Sequence, residues 1–221
     1  ELGQTSDVDG IAILEELVPE VPAPGASIAP VLGLDDTVLE LAITANRPDG
    51  LSMTGIAREV AALTGAALSL PETSAPTTVD ALNPSPPSAE AMQTGGIYAV
   101  TEVKQLDGSS CSPQWIQQRL QRAGVKPVNA VVDIGNLVML EQGQPLHAFD
   151  ADALESICGQ PITASDFGLR QAREKEAFRG LDGRDLSLDS RVQVVTCCDR
   201  AVAIAGVMGS QESGVTDQTR R

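Results

Sequence analysis

The chain has 221 residues, 42% of them hydrophobic, enough to bury one large core or two smaller ones. Aromatic residues are only 2% (three Phe, one Trp, one Tyr), so that core is aliphatic. Thirty Asp and Glu against 15 Lys and Arg give a formal charge of −15, which argues against a surface that grips a phosphate backbone unaided. No apolar run is long enough to cross a membrane as a helix.

The opening ELGQTSDVDG is polar and acidic, unlike a signal peptide. It lacks an initiator Met, and the chain is expected to be a piece of a longer protein. Asp7, Asp9 and Gly10 suggest a turn before an apolar strand over residues 11–14. Pro19, Pro22, Pro24 and Gly25 then break any helix. Alternation over residues 39–44, LELAIT, predicts a second strand. Pro48-Asp49-Gly50 is a strong turn signal; Asp49 is expected to order the turn, with Arg47 paired to nearby carboxylates. A helix follows, with Ser52 as cap, Ile56, Val60, Ala61 and Leu63 as a buried stripe, and Gly65 as stop.

Residues 71–95 are rich in Pro, Ser and Thr and read as an extended linker. Three parts are expected: a small α+β unit over 1–70, the linker over 71–95, and a larger α+β module over 96–221. That module opens with a strand over 97–103, IYAVTEV. Ser112-Pro113 then starts a helix, with Ser112 as cap, Pro113 at the first position, Trp115, Ile116, Arg119, Leu120 and Ala123 on one packed face and Gly124 at its end. Arg119 and Arg122 are too few for a phosphate grip and are read as a solvated face.

The stretch VKPVNAVVDIGNLVMLEQGQPLHAFD holds the only histidine, His147. Its apolar run is expected to be mostly buried. Asn129, Asp133 and Asn136 interrupt it, and buried polar groups must find partners or cost about 1–3 kcal/mol. Such residues hold a turn or face a cavity. Asp150 is expected to cap a turn over 151–154. Asp182-Gly183 signals a hairpin, and residues 192–196 a strand. AVAIAGVMG, residues 201–209, reads as a buried strand with a glycine turn; Gly206 and Gly209 allow close backbone approach because no Cβ intervenes. The four cysteines, Cys111, Cys158, Cys197 and Cys198, form no C-x-x-C pair and are read as reduced thiols rather than a disulfide or zinc framework. His147 has no G-x-S-x-G partner and no second His or suitably spaced Cys. Nucleophile and metal roles are thereby disfavoured, leaving a structural residue or a polar wall that holds substrate or water.

Four segments carry a family resemblance: LELAITANRPDGLSMTGIAREVAALTG, SPQWIQQRLQRAG, VVDIGNLVMLEQGQPLHAFD and AVAIAGVMG. Together they resemble the β subunit of bacterial phenylalanyl-tRNA synthetase, the last three its editing module. The departures are Ala45 for a usual Pro, Gly135 for a hydroxyl residue, Leu137 for Tyr and Ser210 for a second Gly. Residues 155–177 match least, with an insert near 157–166.

The resemblance implies a winged-helix-like unit, then a three-layer β/β/α sandwich-type module that hydrolyses tyrosine misattached to phenylalanine tRNA. Within it, His147 and Asn136 would orient the ester or the attacking water. Gly206, Gly209, Gln144 and Pro145 would form the substrate side. The rest of the pocket, including an acidic residue that reads the tyrosine hydroxyl, would follow residue 221, and the tRNA-binding insert would precede residue 1. No cofactor or metal is expected for this piece; the whole ligase would use ATP and Mg. The implied partners are the synthetase α subunit and the tRNA 3′ end, in the cytoplasm. The rival expectation is a non-catalytic scaffold with a degenerate pocket.

Overall fold

The computed structural model describes residues 13–18, 20–72 and 98–221. The linker stretch lies almost wholly outside them, as do residues 11 and 12 of the first expected strand. Helices and antiparallel sheets share the described chain, as an α+β reading requires.

The N-terminal part differs from expectation. Leu14 opens a single helical turn, α1 (Leu14–Leu17), instead of ending a strand. Residues 39–44 form no strand, and Leu39 is 70% exposed. Alternation supplies a face but not the neighbouring backbone that a ladder needs. The winged-helix-like shape expected for residues 1–70 therefore has no strand among its described residues.

The α2 helix (Met53–Thr64) forms as read: the Ser52 hydroxyl accepts from Gly55 N–H at 3.0 Å, and Gly65 closes the helix at φ +71°. Its apolar stripe is not buried, since Val60 and Leu63 stay exposed. Arg47 pairs with Asp49 at 2.9 Å and with Glu59 at 2.7 Å, tying the preceding turn to this helix.

Residues 98–103 contain no strand, although Tyr98 packs against the later core. Two helices follow: α3 (Gln114–Arg122) and α4 (Ala130–Gln142). Ile116, Leu120 and Leu137 form their shared core. Trp115 is on the outside, 52% exposed, with the Arg119 guanidinium 5.7 Å from its ring centre. Arg119 pairs with Glu141, and Arg122 with Asp36, so both arginines are engaged within the chain.

Ser112 does not cap α3. Its hydroxyl donates instead to Asp133 Oδ2 at 2.6 Å, while Val128 N–H donates to Asp133 Oδ1 at 2.8 Å. Asp133 is thus 1% exposed yet satisfied, and it clamps the start of α3 to the first turn of α4. Asn129 caps α4 by accepting from Val132 N–H at 3.0 Å. The apolar run leading into and along α4 is less buried than expected: Val128, just before the cap, is 67% exposed and Ile134, within the helix, 51%, because the helix meets α3 on its Leu137 side.

Asp150 caps α5 (Ala151–Cys158) by accepting from Ala153 N–H at 2.9 Å, and that helix runs well past the single turn expected. The strands then come in sequence: β1 (Phe167–Gln171), β2 (Glu176–Arg179), β3 (Asp185–Leu188), β4 (Gln193–Cys197), β5 (Arg200–Ile204) and β6 (Met208–Gly209). An antiparallel sheet runs in the order β1-β4-β5-β6, and β2-β3 is a separate hairpin. Its turn is the expected Asp182-Gly183, with Gly183 at φ +78°.

Side chains alternate across a strand, so β4 serves two cores. Val195 and Cys197 join Leu154 of α5, Leu169 and Val202. Val194 joins Phe178 and Leu188 of the hairpin.

Candidate functional site

His147 sits on the loop between α4 and α5, two residues before Phe149 makes an isolated bridge to Gly214. Its ring meets Phe149 edge-on, with centroids 4.6 Å apart and planes at 71°. On its other side is β6. A Cβ built on Gly209 would stand 2.3 Å from both Cε1 and Nε2 of the imidazole. Gly209 is buried, and its backbone has no need of positive φ; what it supplies is room for the ring. His147 and Gly209, 62 positions apart in the sequence, are therefore one contact.

The strand edge is held from behind. Leu181 N–H donates to Gly209 O at 3.1 Å, and Ser210 N–H to Val202 O at 2.9 Å. Ser210, which departs from the family pattern, is buried; its hydroxyl is 2.7 Å from that of Ser213 and accepts from Ser213 N–H. It caps the short 3-10 turn Gln211–Ser213 that Asp150 N–H also reaches, by donating to Ser213 O at 3.0 Å.

The imidazole keeps one exposed side while Phe149 and the strand edge strip water from the other. That desolvation disfavours the charged ring and pushes its pKa below the ordinary 6.5. Desolvation thus favours the neutral ring, the form that accepts a proton or a hydrogen bond from water.

The remaining expected residues divide. Asn136 lies in the middle of α4, half-buried, and its carboxamide makes no hydrogen bond among the described residues. Its neighbour Gly135 faces the His147 loop, since a Cβ there would lie 3.7 Å from Leu146 Cβ. Asn136 and His147 are on facing elements, but no hydrogen bond joins them. Gln144 and Pro145 are exposed on the loop, where the Gln144 amide donates to Pro145 O at 3.4 Å. Gly206 is exposed at the β5–β6 turn with φ +70° and open space around it, so it serves the turn and not a close approach.

Sequence reasoning missed two arrangements. Arg170 is buried at β1 and uses all its donors: Glu176 Oε2 at 2.8 Å and Oε1 at 2.7 Å, Asp199 Oδ1 at 2.9 Å, and the carbonyls of Gln171 and Asp199. Cys158, Cys197 and Cys198, scattered or merely adjacent in the sequence, bring their sulfurs within 4.8 Å of one another. Strand pairing and the α5 position create both clusters, and neither leaves a spacing signature.

Comparison with known proteins now places this architecture. Residues 96–221, more than half of the chain, match the B3/4 domain, and the chain belongs to that family. Over its whole length it is similar to the phenylalanine–tRNA ligase beta subunit. Identity is 66% over 221 residues in Parasynechococcus marenigrum (strain WH8102) and 60% over 221 residues in Prochlorococcus marinus (strain MIT 9313). A more distant relative, from Prochlorococcus marinus (strain MIT 9312), is 39% identical over 219 residues. The chain spans 27% of the length of each of these relatives. Among the described residues no helix is long and apolar enough to cross a membrane.

Proposed function

We propose that this chain is the part of a phenylalanine–tRNA ligase β subunit that removes tyrosine from misacylated phenylalanine tRNA. The observation that carries the reading is the fit of the His147 ring into the space Gly209 leaves by having no side chain. The physical need is clear. An apolar pocket rejects an added hydroxyl only by about a hundredfold, so a second, hydrolytic pocket must supply the rest. An aminoacyl ester is already activated, and its hydrolysis requires a positioned water and support for the developing oxyanion rather than a strong nucleophile.

A neutral imidazole open on one side suits the positioning of that water. Asn136, whose carboxamide has no hydrogen-bond partner among the described residues, is free to turn toward the ester. Gln144 and Pro145 lie on the approach to His147. The layered packing of α5, the four-stranded sheet and the β2-β3 hairpin is consistent with a sandwich-type module. The whole ligase would use ATP and Mg, pair with an α subunit in the cytoplasm, and bring the tRNA 3′ end to this site.

The test uses the complete enzyme with its α subunit and phenylalanine tRNA charged with tyrosine. His147→Ala is expected to slow deacylation by about 10²-fold or more, the usual scale for a positioned proton-transfer or orienting group, and Asn136→Ala by a smaller factor. Phenylalanine attachment should be unaffected in both. Unchanged deacylation in both variants would sink the editing reading.

One observation favours a second reading, a scaffold. An apolar groove of about 690 Å³, lined by Leu39, Leu41, Leu51, Ile56, Val60 and Leu68, runs along α2. An open apolar face of this kind suits docking against the remainder of a longer β subunit.

A further inference from the structure

We propose that Cys158, Cys197 and Cys198 form a three-sulfur site for a soft thiophilic cation, copper(I) by preference. Cys158 ends α5, Cys197 ends β4, and Cys198 begins the tight turn to β5. The Cys158 and Cys197 sulfurs are 3.6 Å apart, and all three lie within 4.8 Å of one another. A trigonal ion with metal–sulfur bonds of about 2.3 Å needs sulfurs roughly 4.0 Å apart. The cluster already has that size.

The turn residues point the same way. Cys198 and Asp199 have φ +48° and +64°, a two-residue hairpin geometry that Asn and Gly ordinarily fill. A cysteine here gains nothing in backbone energy, but it sets a third sulfur beside the other two. Cys197 is fully buried while Cys158 and Cys198 are partly open, leaving an approach from one side. The Arg200 guanidinium donates to Ile157 O at 3.2 Å, placing a positive charge at the same helix end.

The donor set selects the ion. Among the described residues no fourth His, Cys or carboxylate joins the three sulfurs. Structural zinc takes four ligands, whereas copper(I) is a soft ion that thiolates select. Burial pushes the Cys158 and Cys197 thiols up, so they are protonated when empty. On coordination each sulfur releases its proton to solvent and gives an electron pair to the ion; nothing is oxidised.

The experiment uses the full-length protein, reduced and free of oxygen, titrated with copper(I) against bicinchoninate and separately with zinc(II) against a pyridylazo dye. One copper(I) per chain is expected, with affinity lowered more than about tenfold by Cys198→Asn and unchanged by Cys111→Ser. Asn accepts positive φ, so Cys198→Asn should keep the wild-type melting temperature and separate metal loss from misfolding. Cys198→Ser is the second variant, removing the sulfur with the smallest change in volume. Equal copper binding by wild type and Cys198→Asn would overturn the site. So would zinc binding without copper binding.

Discussion

At Gly209 a single methyl group is decisive. The position has ordinary backbone angles, so alanine costs little there in conformation, yet its Cβ would enter the His147 ring. The flexible side chain must give way, not the strand. Gly209→Ala should therefore reproduce the deacylation defect of His147→Ala while lowering the melting temperature only slightly, and the two changes combined should be no worse than either alone. Additive defects would show that the two residues do not act through one contact. Asp133 is the structural counterpart: a buried carboxylate that accepts from both Ser112 Oγ and Val128 N–H. Asp133→Ala strands both and should cost about 2–3 kcal/mol in denaturant unfolding. An effect below roughly 0.5 kcal/mol, the range of ordinary surface changes, would mean the clamp between α3 and α4 is not needed.

Among the elements, the sheet depends on Arg170. From β1 it binds Glu176 in a fork and reaches across to Asp199 in the β4–β5 turn. Both Arg170 and Glu176 are largely buried, so removing one partner leaves an unpaired interior charge. Arg170→Ala should destabilise the B3/4 module by about 3–5 kcal/mol, and lysine, lacking the planar fork, should not restore it. The fork also sets an acid response. Arg170 holds the Glu176 carboxyl below its ordinary value of 4.5. That stabilisation is complete above pH 4.5 and drains away as the pH falls through the lowered folded value. Acid unfolding monitored by circular dichroism should therefore lose part of its steepness below pH 4.5 in Glu176→Gln. An unaltered acid limb would refute this assignment.

For the molecule as a whole, the uneven distribution of apolar surface matters most. Residues 98–221 place apolar cores on both faces of the four-stranded sheet, and the chain's three Phe and its Tyr98 pack there, whereas the α2 region leaves Leu39, Leu51, Val60 and Leu63 open. A patch of this kind marks an interface or an aggregation liability. The isolated chain should bind a hydrophobic dye such as anilinonaphthalene sulfonate. Leu39→Glu with Leu63→Glu should abolish most of that fluorescence without lowering the melting temperature. Persistent fluorescence would locate the open surface elsewhere.

Local chemistry wrote much of this structure into the sequence. Ser52, Asn129 and Asp150 cap helices because their short polar side chains reach an N–H three residues on; Gly65 closes α2 and Gly183 the hairpin because both sit at positive φ. The motif around His147 was likewise legible as a segment. Tertiary structure decided the rest. Residues 39–44 alternate like a strand and pair with no strand among the described residues, since a ladder needs a partner that alternation cannot provide. Ser112 looked like a cap and became the partner of Asp133, because a buried carboxylate competes for its hydroxyl. Only chain folding brought the His147 ring over Gly209 and gathered three thiols at one end of the sheet: such contacts depend on the distance between remote backbones, which no sequence spacing encodes.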